Sequence, residues 1–196
     1  DYVFIGFHDG SLIRKNSSSG AEHTFPAGHK SEITALCSYD NYVYSADSSG
    51  VIIKWNIHSC KKQIISTNHT ARIIEMTADE QCLYTWDSSK QLYLWKINSP
   101  SKKLIFKNAA GIAHYSRLCL HEGNIFINLF SSNQILKFNS SGDLVYKIEI
   151  IRCKNFQITG NLIIAFSLSE GIKYYSAVTG ELICTVVLFE AAKYVI

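Results

Sequence analysis

Two stretches of this chain, YSADSSGVIIKWN from Tyr44 to Asn56 and YTWDSSKQLYLWK from Tyr84 to Lys96, carry one pattern forty residues apart. Six of the seventeen positions from 41 to 57 recur identically without a gap: Tyr44/Tyr84, Asp47/Asp87, Ser48/Ser88, Ser49/Ser89, Trp55/Trp95 and Ile57/Ile97. A fixed step that returns the same large side chains means that each unit meets its neighbours in the same surroundings. The step also runs backwards, matching Tyr2-Val3-Phe4 to Tyr42-Val43-Tyr44, Gly10 to Gly50 and Ile13 to Ile53. Forwards it continues through 124–139 and 161–180, so the anchors Lys15, Trp55, Trp95, Phe138 and Tyr175 are spaced 40, 40, 43 and 37.

Within each unit the apolar runs are β-branched and aromatic and are bounded by Ser, Asp and Gly, as in YVYSA, CLYTW, NIFINLF and NLIIAF, which is strand chemistry. A short turn follows (DSSG, DSSK, SSNQ), then a second strand such as VIIKWNI. A third lies beyond it (DLVYKIEI, ELICTVVL), and EITALC stands before the first. No window sustains a helical period. Four antiparallel strands per forty residues predict an all-β chain in which each unit is a propeller blade. A β-sandwich has no need to repeat side chains at that step. The expected units are 1–26, 27–66, 67–108, 109–150 and 151–188, about five four-stranded blades in one segment, the first beginning at its second strand and lacking the innermost one. Residues 189–196 (FEAAKYVI) would then start another blade or close the ring onto the first.

The stretch AGHKSEITALCSYDNYVYSADSSGVIIKWN (27–56) resembles a WD repeat, with Gly28-His29 opening and Trp55-Asn56 standing where that family has Trp-Asp. His69 and Trp95 repeat His29 and Trp55 forty residues on, keeping a His-to-Trp separation of 26. The resemblance covers nearly the whole chain, closely in two copies and in degraded form in three. It implies a divergent member of the family, a segment of a ring of about seven blades. It also implies a structural role for His29, Trp55, His69 and Trp95, joined through a Ser or Thr of the second strand to an Asp in the turn. The family's turn place holds Asp9 in the first copy but Ser49 and Ser89 in the next two. Asp47 and Asp87, two residues earlier, are the expected stand-ins.

No P-loop, GxSxG or HExxH is present, and DSSG precedes no helix whose amides could hold a phosphate. The expectation is therefore no catalysis, no cofactor and no metal. The six cysteines show no CxxC spacing and four lie in apolar runs, which reads as reduced thiols and a cytoplasmic location, with the nucleus compatible. The net charge is +3, with the lysines scattered. That disfavours nucleic acid, and membrane contact beyond a peripheral one, as partners. Blades present loops at two ends. One end should collect Lys30, Glu32, Ser48, Ser49, Arg72, Ser88 and Lys90 with His114 and Tyr115, a candidate face for other proteins. The other should carry the pairs Lys61-Lys62 and Lys102-Lys103 as a candidate basic patch. The reading is a protein–protein interaction scaffold. Its alternatives are a substrate-recognition module of a larger ubiquitin ligase or kinase, or phosphoinositide or RNA binding through the lysines.

Overall fold

A computed structural model describes residues 1–66, 69–99, 101–108 and 117–187. The chain divides into two compact units, Asp1–Ala109 and Ala110–Ile196. The predicted tail 189–196 lies outside the described residues, as do 67–68 and 109–116 at the starts of two predicted units.

In the first unit, β1 (Tyr2–Gly6), β2 (Leu12–Asn16) and β3 (Glu22–Thr24) form a three-stranded sheet. Next come β4 (Ile33–Tyr39), β5 (Tyr42–Asp47), β6 (Ile52–Asn56) and β7 (Lys62–Ser66). These are followed by β8 (Ile73–Ala78), β9 (Cys82–Asp87), β10 (Gln91–Lys96) and β11 (Lys102–Lys107), and each set is one four-stranded sheet. The second unit holds β12 (Arg117–His121), β13 (Asn124–Leu129), β14 (Gln134–Phe138) and β15 (Leu144–Glu149). A last sheet comprises β16 (Cys153–Thr159), β17 (Leu162–Ser167), β18 (Gly171–Ser176) and β19 (Leu182–Val186). Neighbouring strands pair antiparallel in chain order throughout. Four of the five sheets have four strands, and the first, expected to begin at its second strand, has three among the described residues. Its opening strand, YVFIG, occupies the place of a second strand, because Val3 pairs with Lys15 as Val43 pairs with Trp55.

That register carries the forty-residue step into space. Lys15, Trp55, Trp95, Phe138 and Tyr175 stand opposite Val3, Val43, Leu83, Ile125 and Ile163, one position in five sheets. The second strands of the three middle sheets, such as YVYSAD and NIFINL, are buried on both faces, whereas fourth strands such as KQIIS are mostly exposed. The cause is face-to-face stacking of consecutive sheets within a unit. Leu12 and Phe25 of the first sheet pack on Val43, Ile53 and Trp55 of the second. Tyr44, Ala46 and Ile52, on the reverse of that second sheet, pack on Ile73, Met76, Leu83 and Trp95 of the third. In the second unit Phe126, Ile135 and Ile148 pack on Phe156, Ile163, Ala165 and Tyr175.

Two glycines set how tightly the turns meet the next sheet. Gly50 has φ +86°, and a Cβ there would lie 1.9 Å from the His69 carbonyl oxygen. Gly10, forty residues earlier, has φ +84° and faces the carbonyls of His29 and Ser31 in the same way.

Candidate functional site

The most ordered polar arrangement is buried between the first two sheets. Trp55 on β6 donates its indole N–H to Ser45 Oγ at 2.8 Å, and that hydroxyl is 2.6 Å from His29 Nε2. His29 Nδ1 is 2.8 Å from Asp47 Oδ2. A carboxylate can only accept, so Nδ1 carries the proton, Nε2 accepts, and Ser45 donates to it. The result is one polarised chain, indole to hydroxyl to imidazole to carboxylate. The other Asp47 oxygen accepts from the Ser49 and Val51 amides and from Ser49 Oγ, closing the β5–β6 turn. The His29 and Asp47 side chains are 0 % and 1 % exposed.

Burial lowers the His29 pKa and favours the neutral imidazole, outweighing the opposing pull of Asp47. For Asp47, burial raises the pKa, but the hydrogen bonds from Ser49, Val51 and His29 together outweigh it and leave the carboxyl below its ordinary value. Gly28 is required by the same packing, since a Cβ there would lie 2.4 Å from the Trp55 ring. The turn aspartate is thus Asp47, at the end of β5, and Ser49 is its hydrogen-bond donor. In the first sheet Asp9 accepts from the Ser11 amide and Ser11 Oγ. Sequence reasoning asked for a Ser or Thr without naming Ser45; it stands two residues after Val43, the cross-strand partner of Trp55.

The second copy is looser. Trp95 donates to Thr85 Oγ1 at 2.9 Å, but His69 presents Nε2, not Nδ1, to Asp87 at 3.1 Å without hydrogen-bond alignment. The His69 ring instead meets Tyr93 and Trp95 edge-on, at centroid distances of 5.1 and 5.7 Å. In the first sheet of the second unit the same places turn apolar together. Ile127, Leu129 and Phe138 stand where Ser45, Asp47 and Trp55 stand, all buried. The last sheet has Ala165, Ser167 and Tyr175 there, and Ser167 Oγ takes over the turn by donating to Ile151 O at 2.6 Å and accepting from the Glu170 amide.

The candidate partner face forms at one end of the first unit. Arg72, entering β8, grips Glu32, entering β4, with two hydrogen bonds of 3.0 and 3.2 Å. The Ser48 amide donates to Glu32 O and the Ser88 amide to Arg72 O, both at 2.8 Å, so turn and entry loop are tied identically in two sheets. Lys90 occupies the place of Gly50 with φ +62°, and its carbonyl accepts from the Asn108 amide. Lys30 is exposed. His114 and Tyr115 lie outside the described residues.

The basic patch does not assemble as two equivalent pairs. Lys61-Lys62 and Lys102-Lys103 recur 41 residues apart, but the structural step is 40, so only Lys62 and Lys102 correspond, each opposite a tryptophan. Both ammonium groups turn back onto the sheet. Lys62 donates to Ala27 O at 2.6 Å and lies 6.0 Å from the Trp55 ring centre. Lys102 sits 4.4 Å from the Tyr93 ring centre and 5.0 Å from that of Trp95. Lys61 belongs to the preceding loop and Lys103 to the opposite face of β11 from Lys102.

All six cysteines are free thiols. Burial pushes the Cys37 and Cys119 thiols up, and that of Cys153 to about 11, which suppresses their reactivity. Among the described residues no group of three His, Cys, Asp or Glu side chains could hold a metal ion, and no helix is long and apolar enough to cross a membrane.

No family model matches the chain, and no curated protein does. Solved structures do. The computationally designed Ika8 protein superposes with a TM-score of 0.70 at 17 % identity, over 89 % of this chain and 55 % of that one. The computationally designed Ika4 protein gives 0.60 at 16 % identity, over 76 % of this chain and 93 % of that one. This chain therefore spans about half the length of the Ika8 protein. At such identities the likeness is one of fold alone: a run of repeated antiparallel sheets.

Proposed function

We propose that this chain is a segment of a divergent WD-type β-propeller of about seven blades, working in the cytoplasm as a protein–protein interaction scaffold with no catalysis of its own. The complete Trp55–Ser45–His29–Asp47 chain supports the WD-type reading, since it meets the residue types and order which that resemblance implies. The free thiols fit a reducing compartment.

The observation that carries the scaffold reading is the division of labour between buried and exposed polar groups. The imidazole and carboxylate best suited to acid–base chemistry are sealed from solvent and spent on holding a turn. The loops that remain exposed are braced from sheet to sheet by Glu32 and Arg72. Prearranged loops bind with little ordering cost. The face of Lys30, Glu32, Ser48, Arg72, Ser88 and Lys90 is the docking surface for other proteins.

Cross-linking mass spectrometry on the full-length protein purified from cells tests this. Cross-links from Lys30 and Lys90 to other proteins are expected, and the double substitution S48R/S88R should remove them. Recovery of the protein alone, or cross-links untouched by that substitution, would overturn the assignment. The lipid or RNA reading finds less support, because the Lys62 and Lys102 amines are engaged by rings and, for Lys62, a carbonyl.

A further inference from the structure

One position carries a cation in three of the five sheets. Arg14, Lys54 and Lys137 stand one residue before Lys15, Trp55 and Phe138, the recurring places opposite Val3, Val43 and Ile125. Each lies over an aromatic ring. Arg14 Cζ is 5.0 Å from the Tyr2 ring centre, Lys54 Nζ 3.8 Å from that of Tyr42, and Lys137 Nζ 5.5 Å from that of Phe126. Lys137 is buried and donates to Ala177 O of the next sheet at 2.8 Å. Tyr146, its cross-strand neighbour on β15, donates to the same carbonyl.

Lys54 has no such closure. Its cross-strand neighbour on β7 is Gln63, and its ammonium makes no hydrogen bond or ion pair among the described residues. It lines instead a cleft of about 260 Å³, together with Tyr42 and the loop from β6 to β7. Asn56 folds that loop by accepting from the His58 and Ser59 amides. Lys61 lines the same cleft, and neither its amine nor the Tyr42 hydroxyl has a hydrogen-bond partner among the described residues. Lys62 lines it too, but keeps its amine on Ala27 O. None of the seven lining residues is acidic. Burial lowers the Lys54 pKa with no carboxylate acting against it.

We propose that this cleft is a binding site for a phosphate monoester, with Lys54 and Lys61 as its counter-charges and the Tyr42 hydroxyl as a further donor. Charge selects the ligand. Two ammoniums without carboxylate partners match a group that carries nearly two negative charges at neutral pH, which a phosphate monoester does and a carboxylate or phosphodiester does not. Its three terminal oxygens give each of the three donors an acceptor. The cleft is smaller than the roughly 300–1,000 Å³ of sites that enclose whole small molecules, so it takes the phosphate group and leaves the rest of the ester outside. Lys54 is the anchor, because the Tyr42 ring holds its ammonium in place and partial burial strengthens its attraction for an anion. The inference does not depend on the scaffold reading, which concerns loops at the other end of these strands.

Titration of the isotope-labelled full chain with methyl phosphate, followed through amide shifts in nuclear magnetic resonance spectra, is the test. Saturable shifts are expected, concentrated at Lys54, Asn56, Ser59 and Lys61. Methyl sulfate has the same shape with a single charge and should bind about tenfold more weakly. Lys54→Met keeps the apolar stem over Tyr42 and should raise the dissociation constant for methyl phosphate by about tenfold. Lys61→Met should raise it by about threefold, and unchanged shifts elsewhere would show that both variants stay folded. Lys103→Met, at an exposed position of β11, should leave it unchanged. No saturable shift up to tens of millimolar overturns the proposal, as does equal affinity for the two esters or equal weakening by K54M and K103M. A chain that binds single-stranded RNA or anionic vesicles but not methyl phosphate overturns it too.

Discussion

Ser45 is one oxygen serving two nitrogens, and its removal shows what such sharing is worth. Ser45→Ala would leave the Trp55 indole N–H and His29 Nε2 buried without partners. Each orphaned group costs about 1–3 kcal/mol, so a loss of about 3 kcal/mol is expected, read as a lower urea midpoint at unchanged m-value. The histidine adds a pH dependence of definite sign. Its folded pKa lies below 6.5, so above pH 6.5 both states are neutral and its contribution is complete. Below 6.5 the unfolded imidazole takes up a proton that the folded one refuses, and stability falls until the folded pKa is passed. Asp47 acts in the same direction lower down, its contribution complete above 3.8 and lost as the pH falls from there through its depressed folded pKa. Urea midpoints of the wild type should therefore drop between pH 7 and pH 5, and those of H29Q should drop less. A parallel fall in both proteins would place the titration elsewhere.

At the scale of single turns and strands, one position is solved differently in neighbouring sheets. The turn after β5 uses Gly50 pressed on the His69 carbonyl, and the turn after β9 uses Lys90 in the same left-handed region. Gly50→Ala must move either backbone, and a loss of about 3 kcal/mol is expected in urea unfolding. Lys90→Gly relieves a left-handed side chain and should gain about 1 kcal/mol. These turns also mark how far the sequence could be read. The step, the strand order and the shared place of Trp55 and Trp95 follow from spacing, because a periodic sequence returns equivalent residues to equivalent positions. Which of the turn residues the histidine reaches does not follow from spacing alone. Asp47 and Ser49 are both turn formers, and only the three-dimensional reach of His29 separates them. The lysine pairs misled for a related reason. A difference of one residue is nothing along a loop but reverses the face of a strand, so Lys103 points away from Lys102.

For the whole molecule, the sheets share a frame but not a chemistry. The polar chain of the second sheet gives way to Ile127, Leu129 and Phe138 in the fourth, a replacement that is harmless only when made as a set, since a lone buried carboxylate has no partner. That substitution erased most of the signal by which the later units could be recognised, leaving only Phe138 and Tyr175 as aromatic markers. The layering also predicts a gradient of hydrogen exchange. Amides of β5, β9 and β13, buried on both faces, should exchange by the slowest openings, and those of β3 and β19 by the fastest. Uniform protection from inner to outer strands would contradict it. The chain has three tryptophans. Trp55, Trp86 and Trp95 are all buried and all belong to the unit before residue 110. Ultraviolet emission excited at 295 nm therefore watches one half of the protein and is blind to the other, so a denaturation curve recorded that way can be complete while the second half is still folded.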